Sequence, residues 1–504
     1  MKKGLLTWAL LLCCTFGAKA QLEGANWFFG DSVLLKFTED SIIVSQAQLS
    51  TEEGSSTISD KEGNLLFYSN SGFVYNSLHE PIHEDPIFAG GYDPENPGQG
   101  NGFMDWVLLL PAPINLDTLF YLFTLDTTLS YTLIDRRLRD GTGGILDSAI
   151  NVLIGDTLIS LDTKLTSVRH GNGRDWWIFM RTSWSADPPI MFLRWLLTPS
   201  GFEGPDYLEL TDWVEEEGWY YGNMFFSQDG ERLIVIEKTG FEVYDFDRCS
   251  GEIEQIGIVD DLPVTGLWFG ALSESGQKLY VVYHNIIEGS LERHSGILQY
   301  DLGFLPDSYA VKESESLVFE EDYNNYGIWS IKYEPITDNM YFTLLNTTDT
   351  LYSHNMYLHA ITEPELTGLL CNVQENYLQL ATEPGGMRTL GGLPNMPNYA
   401  LGALEGSPCD TLNETNSVAE VTSPPFKAYP NPVQDYLYID NPLPTTCQAV
   451  VFNAMGQEVE RFDLEQGGQA HATGWWPVGF YSLVLQQPDG TLDKISSFPK
   501  SRVR

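Results

Sequence analysis

Residues 79–83 read HEPIH, the spacing H-E-x-x-H. On a helix that spacing puts two imidazoles on one face, where they ligate zinc while the glutamate serves as general base. Here Pro81 stands between His79 and His83, removing a backbone donor and clashing with the preceding turn. The run predicts a polar loop between strands. Glu215-Glu216-Glu217 ahead of Trp219-Tyr220-Tyr221 combines carboxylates with rings, the ingredients of an acid beside a stacked sugar. A solvated turn leading into a strand accounts for the same residues. Asp245-Phe246-Asp247 lacks the rest of a calcium loop, and Ser227-Gln228-Asp229-Gly230 lacks the following tryptophan of a sialidase Asp box. Neither a G-x-S-x-G elbow nor a phosphate-binding P-loop is found. Catalytic residues stay unassigned, and no cofactor is expected beyond Ca2+ held loosely by acidic side chains.

A glycine beside an aromatic residue recurs at Tyr221-Gly222, Phe269-Gly270 and Tyr326-Gly327. Such pairs fit close packing at a narrow hub, or an aromatic rim that binds glycan or protein loops. Convergence of carboxylates with His170, His284 and His294 on one mouth would mark an enzyme. Aromatic rings without an acid–base pair would mark a binding module, and a polar rim with a broad apolar side patch would mark an assembly component.

These residues need elements to hold them, and the elements repeat. ISDKEGNLLFYS (58–69), LPAPINLDTLFYLF (110–123), VRHGNGRDWWIFM (168–180), FSQDGERLIVIE (226–237), LSESGQKLYVVY (272–283) and YEPITDNMYFTL (333–344) share one plan. Each is a short apolar strand, a polar turn and a second apolar strand. Aligned after the turn, the copies start at Leu65, Leu119, Trp176, Leu233, Leu279 and Met340. That is about one four-stranded blade per step. LPNMPNYALG (393–402) is a weaker seventh copy, and NWFFGDSVLLKF (26–37) could complete the last blade and close the ring. Helical periodicity is scarce. The expected fold is all-β: a β-propeller of about seven blades over 21–406, then a small Ig-like β-sandwich.

FSQDGERLIVIE and LSESGQKLYVVY resemble the PD40/YVTN-like class of WD40-type repeats. The opening section, from NWFFGDSVLLKF to LSTEEGSSTISDKEGNLLFYSNSGFVYN, looks like the first blade of secreted propellers from bacteria with type IX secretion. The resemblance implies a fold and no single function, because such folds host many activities.

MKKGLLTWALLLCCTFGAKA, residues 1–20, has the basic start, apolar stretch and small-residue cleavage site of a secretory signal peptide. No later stretch is long and apolar enough to span a bilayer as a helix. Without this leader the chain has 24 Lys and Arg against 69 Asp and Glu, a formal charge of −45. Such a surface repels nucleic acid, which needs clustered cations. Cys249, Cys371, Cys409 and Cys447 remain, and four cysteines allow three pairings that the sequence leaves open. One of them, Cys371 with Cys409, would tie down the closing segment of the large domain.

Residues 407–427 have linker composition, rich in Ser, Thr, Pro and Asn. Strands resume at AYPNPVQDYLYID and continue through QAVVFNAMGQEVERFDL, GWWPVGFYSLVLQQPDG and TLDKISSFPKSR. In order and spacing these resemble the type A C-terminal sorting domain of type IX secretion cargo, here residues 428–504. By position the resemblance assigns Pro430, Asn431 and Pro432 to the domain opening and Gly456 to the middle turn. It assigns Gly479 and Tyr481 to the Gly-x-Tyr strand start, and Lys494 and Lys500 to the basic end. Trp475 and Trp476 replace a plainer Leu-x-x before that glycine. The resemblance implies passage through periplasm and outer membrane, handling by the type IX machinery and its sorting protease, and a secreted or cell-surface destination. The reading is an exported binding module for a surface or extracellular protein or glycan, more an adaptor than an enzyme. A polysaccharide-degrading enzyme and a component of an adhesive or gliding surface are the alternatives.

Overall fold

A computed structural model of the chain describes residues 22–87, 99–100, 106–114, 116–125, 128–154, 161–182, 190–210, 222–264, 266–286, 293–322, 326–346, 354–382, 386–410, 412, 427–429, 433, 435–441, 446–453, 457–477, 479–486 and 492–500. The leader at 1–20, the acidic–aromatic run at 215–221, and Pro430, Asn431, Pro432 and Gly456 lie outside them.

Among the described residues, seven small sheets succeed one another along the first 379 residues. Sheet 1 holds Asn26–Phe29, Asp31–Phe37 and Ile42–Thr51, with Gln99–Gly100 added at its edge. Sheet 2 holds Ser56–Ser59, Leu65–Ser69 and Val74–Asn76. Sheet 3 is built on Val107–Pro111, Leu119–Leu125 and Leu129–Asp135. Sheet 4 comprises Leu161–Arg169, Trp176–Thr182, Met191–Thr198 and Gly201–Glu209. Sheet 5 comprises Met224–Phe226, Arg232–Glu237, Gly240–Phe246 and Ile253–Val259. Sheet 6 comprises Gly266–Leu272, Lys278–Ile286, Arg293–Asp301 and Ser316–Asp322, and sheet 7 Tyr326–Glu334, Asn339–Asn346, Tyr357–Ile361 and Val373–Gln379. The six aligned repeat copies each become the second strand of sheets 2 to 7, within one residue of the expected starts.

The turn chemistry explains the repeat. After the first strand of sheet 5, Ser227 Oγ donates to the Asp229 carboxylate and accepts from Arg232 N, while Asp229 also accepts from Glu231 N. Gly230 then takes φ 73°, a left-handed conformation that glycine adopts without strain. Burial follows position within a sheet. Trp176–Thr182 is buried at all seven residues, because neighbouring sheets cover both faces, whereas the outer strand Gly201–Glu209 is half exposed.

Each sheet bonds to the next. Asn26 Nδ2 donates to Ser59 Oγ (2.8 Å), Leu109 N to Ser56 Oγ (3.0 Å) and Trp176 Nε1 to Pro111 O (3.0 Å). Trp177 Nε1 donates to Arg248 O (2.9 Å), Gly270 N to Asn223 Oδ1 (2.9 Å) and Ile328 N to Ser295 Oγ (2.9 Å). Sheet 7 returns to sheet 1 through Tyr341, whose ring lies 5.9 Å from Trp27 and 5.4 Å from Phe37. The arrangement is cyclic and propeller-like; residues 26–37, expected to complete the last blade, instead open sheet 1, which meets sheet 7 where the ring closes.

The weak copy at 393–402 is not a strand. Pro394 and Pro397 supply no backbone donor, so this stretch does not join a ladder. It belongs to a segment, 386–410, that runs inside the ring. Asp31 N donates to Arg388 O (2.9 Å), and Asn395 N to Ser55 O (2.7 Å), just ahead of the first strand of sheet 2. Further on, Asn398 Nδ2 donates to Gln228 O in the turn closing the first strand of sheet 5 (2.8 Å). Leu404 N donates to Gly171 O (2.8 Å).

The segment ends on a disulfide between Cys409 and Cys249, with Cα atoms 5.5 Å apart. The expected Cys371–Cys409 bridge is therefore corrected. Cys371 is a free, buried thiol at the end of the short 3-10 turn Gly368–Cys371, in the core between sheets 6 and 7. Burial pushes this thiol up to about 11. Cys409 is instead carried across the ring to sheet 5, so the folded chain continues past the boundary expected at 406.

The C-terminal unit is a small β-sandwich. One sheet orders Lys427–Tyr429, Tyr436–Asn441 and Gly467–Ala472; the other orders Glu458–Leu464, Cys447–Asn453, Gly479–Gln486 and Leu492–Lys500. Leu437, Ile439, Val451, Tyr481, Leu483 and Leu485 fill its core, as the alternation of GFYSLVLQ requires.

Candidate binding surfaces

HEPIH is a loop. His79 has φ 60°, its Nδ1 pairs with the Tyr68 hydroxyl (3.0 Å), and His83 Nδ1 pairs with Asp85 O (2.9 Å). The two imidazoles serve separate local bonds. Among the described residues no group of three or more His, Cys, Asp or Glu is placed to hold a metal ion.

The three other histidines meet different partners. His170 accepts from Asn172 N at Nδ1 (3.0 Å) and donates from Nε2 to Cys249 O (2.9 Å), bracing sheet 4 against sheet 5. His294 lies on the third strand of sheet 6, 3.7 Å from Glu320, with both side chains well exposed. His284 is buried between sheets 6 and 7 and bonds Ile328 O through Nε2 (2.6 Å). Burial pushes its imidazole down to about 4, so it is neutral near pH 7.

The glycine–aromatic pairs are packing devices where they can be tested. A Cβ on Gly222 would lie 1.8 Å from Ile236 O, and one on Gly270 would lie 2.9 Å from the Ile236 side chain. Gly222 is pressed against the second strand of its own sheet, and Gly270 brings the first strand of sheet 6 against that same strand.

Beside these glycines sits a feature that the sequence reading passed over. The pairing register of Gly266–Leu272 skips between Leu267 and Phe269, leaving Trp268 as a bulge. That of Tyr326–Glu334 skips between Ile328 and Ile331, which does the same to Trp329. Bulges re-aim side chains. The two half-buried rings come to 5.0 Å between centroids, and His284 lies 5.0 Å from one and 5.9 Å from the other. A shared Gly-x-Trp, in GLW (266–268) and GIW (327–329), was the available signal.

An open groove of about 1220 Å3 lies at the turns of sheets 4, 5 and 6. Tyr207 and Phe246 contribute rings, and Asp229, Glu231, Asp245 and Glu254 contribute charge. Several carboxylates are already engaged: Asp229 and Asp247 accept backbone N–H groups within turns, and Asp245 faces Arg232 at 3.8 Å.

Between sheets 4 and 5 lies a buried ionic cluster. Arg181 pairs with Glu237 and with Glu242 (3.2 Å), and Lys164 pairs with Asp162 (2.7 Å) and Glu237 (3.3 Å). Burial alone would lower Arg181, but the Glu237 and Glu242 carboxylates outweigh it and hold the guanidinium above its ordinary value. Burial, then the Glu242 carboxylate, pushes the Tyr244 phenol up, and its hydroxyl donates to Glu242 (2.7 Å).

In the C-terminal sandwich, Gly479 opens its strand opposite Lys500, and the Tyr481 hydroxyl donates to Pro477 O (2.7 Å). Trp476 is buried and donates from Nε1 to Glu460 (2.9 Å), whereas Trp475 is exposed. Lys494 lies in the last strand, and Lys500 is buried with its ammonium on Thr473 O.

Residues 427–495 match the secretion system C-terminal sorting domain family. The chain is accordingly exported by type IX secretion to the cell surface or beyond, handled by that machinery. Among the described residues no helix is long and apolar enough to cross a membrane. No curated protein matches the chain significantly. Solved structures with overall similarity include a protein of Bacteroides uniformis provisionally described as a 6-phosphogluconolactonase. It is 14% identical, with TM-score 0.38 over 71% of this chain and 98% of that one. A functionally unknown protein of Desulfotomaculum acetoxidans is 11% identical, with TM-score 0.35 over 72% and 95% of the two chains. An exo-β-1,3-galactanase of Phanerochaete chrysosporium is 9% identical, with TM-score 0.32 over 81% and 97%. Likeness at this level carries no argument about activity.

Proposed function

We propose that the chain is a leader at residues 1–20, a seven-bladed WD40-like β-propeller from 21 to about 410, a linker, and an Ig-like sorting domain over 428–504 that the sorting protease removes. The propeller acts outside the cell as a binding module for a protein or polysaccharide ligand. The observation that carries this reading is the Trp268–Trp329 pair: two bulged rings, backed by a neutral His284 locked onto Ile328 O, on first strands of adjacent sheets. Ring faces held this way favour stacking contacts with a ligand. The separate partners of His170, His284 and His294 support binding over acid–base chemistry.

A glycan and protein array probed with the full chain tests it. Wild type should retain a ligand that the W268A/W329A variant holds at least tenfold more weakly. Turnover of an arrayed substrate, or undiminished binding by the folded double variant, would overturn the reading.

A further inference from the structure

We propose that a pocket at the turns after the first strands of sheets 2, 3 and 4 binds a small zwitterion of the α-amino acid class, with its ammonium on Glu23 and its carboxylate on Arg169. Trp268 and Trp329 belong to other sheets, and the proposal does not rest on their role.

Glu23 precedes the first strand of sheet 1, and its carbonyl accepts from Ser59 N (2.9 Å), which fixes it beside sheet 2. Arg169 ends the first strand of sheet 4. Its guanidinium lies 4.1 Å over the Trp176 ring and donates to Tyr399 O from Nη2 (3.1 Å) and to Gly173 O from Nη1 (3.3 Å). Both residues line a cavity of about 100 Å3, and they are only 7% and 5% exposed. Ile58, Leu66 and Phe120 supply apolar wall, and Arg136 adds a second guanidinium. Exposed Lys61 and Asp117, 3.8 Å apart, border the same space from the turns of sheets 2 and 3.

Both charged groups are left incomplete. Glu23 Oε2 and Arg169 Nε are buried and make no hydrogen bond within the chain. Among the described residues neither group has an ion-pair partner within 4.0 Å, so they face one cavity without joining across it. Buried polar atoms are rarely left so, because each unmade bond is costly. Burial pushes the Glu23 carboxyl above its ordinary value even though the Arg169 charge pulls it down, and burial lowers Arg169 to about 10. Each group lacks a close counter-charge.

That deficit selects the class of ligand. A lone cation would face the guanidiniums of Arg169 and Arg136, and a lone anion would face Glu23. A neutral hydroxyl could bond to both yet would bring neither counter-charge. An α-amino acid carries ammonium and carboxylate on one carbon, so a single small molecule supplies both. The cavity has the volume of about three water molecules. Glycine or alanine suits that space, the methyl group of alanine lying against apolar wall, whereas a long side chain does not.

Isothermal titration calorimetry of the full chain with glycine and L-alanine tests the site. Glycolate and glycinamide, which each keep one of the two charges, serve as comparators. Glycine or alanine should bind at least tenfold more tightly than either comparator. Glu23→Gln keeps the shape of the side chain and removes its charge. It should weaken glycine binding at least tenfold and abolish the rise in melting temperature that glycine gives wild type. Without ligand its melting temperature should equal or exceed that of wild type, because an uncompensated buried charge is gone; a purely structural role for Glu23 would lower it. No binding of either amino acid, equal binding of glycolate or glycinamide, or glycine held undiminished by the folded Glu23→Gln variant would overturn the proposal. The comparison of ligands on wild type decides the matter without any variant.

Discussion

Arg181 is held between Glu237 and Glu242 in a space where all three side chains are at most 2% exposed. Lys164, 1% exposed, approaches Glu237 from the other side. Desolvating so many charges is costly, and mutual attraction offsets it only while every partner is present. The cluster joins the second strand of sheet 4 to the second and third of sheet 5, so it fixes the placement of one sheet against the next.

Removing the central cation should be severe. Arg181→Met leaves two buried carboxylates facing one another with Lys164 alone to balance them, and should cost about 3–5 kcal/mol of stability in urea unfolding. A loss below about 1 kcal/mol would show that solvent reaches the cluster. Replacing Arg181, Glu237 and Glu242 together by apolar residues should cost less than the single change, because the carboxylates leave with their cation and Lys164 keeps Asp162.

Buried His284 and half-buried Glu53 should shape the pH dependence in opposite directions. His284 is held down to about 4 by burial, while an unfolded imidazole protonates near 6.5. Its contribution is complete above pH 6.5 and fades as pH falls towards 4, because the unfolded chain then binds the extra proton. Glu53 is pushed up to about 7, first by burial and then by the Glu52 charge. Its contribution is complete below about 4.5 and fades as pH rises through 7. Thermal unfolding from pH 4 to 8.5 separates them: His284→Gln should flatten the acid side of the profile, and Glu53→Gln the neutral-to-alkaline side. Profiles parallel to wild type would mean that neither group titrates differently on folding.

Much of the ring was legible because its turns are local chemistry. Ser227, Asp229 and Gly230 satisfy one another within four residues, so the repeat is written in consecutive positions. The copy at 393–402 was misread because Pro394 and Pro397 interrupt a pattern that is otherwise strand-like, and its bonds reach far along the chain, from Asn398 to Gln228 and from Asn395 to Leu165 and Ser55. Cys249 was equally hidden: the Cys409 pairing depends on the path of segment 386–410 inside the ring, which spacing does not encode. The aromatic pair escaped because a bulge is a relation between two strands, whereas the Gly-x-Trp that marks it is short and common.

Lys500 is buried on Thr473 O in the strand that pairs with Gly479–Gln486, so it belongs to the structure of the domain. Deleting residues 428–504 should leave the ring folded and trapped in the periplasm, because the address is gone and segment 386–410 keeps its Cys249–Cys409 disulfide. Lys500→Met should also reduce surface display, through loss of the sandwich; limited proteolysis should then cut within 428–504 and spare the ring. Cell fractionation of both variants decides the matter. Undiminished surface display of the deletion would refute the assignment of export to this domain, and display of Lys500→Met at wild-type level with a protease-resistant sandwich would refute the structural role of that lysine.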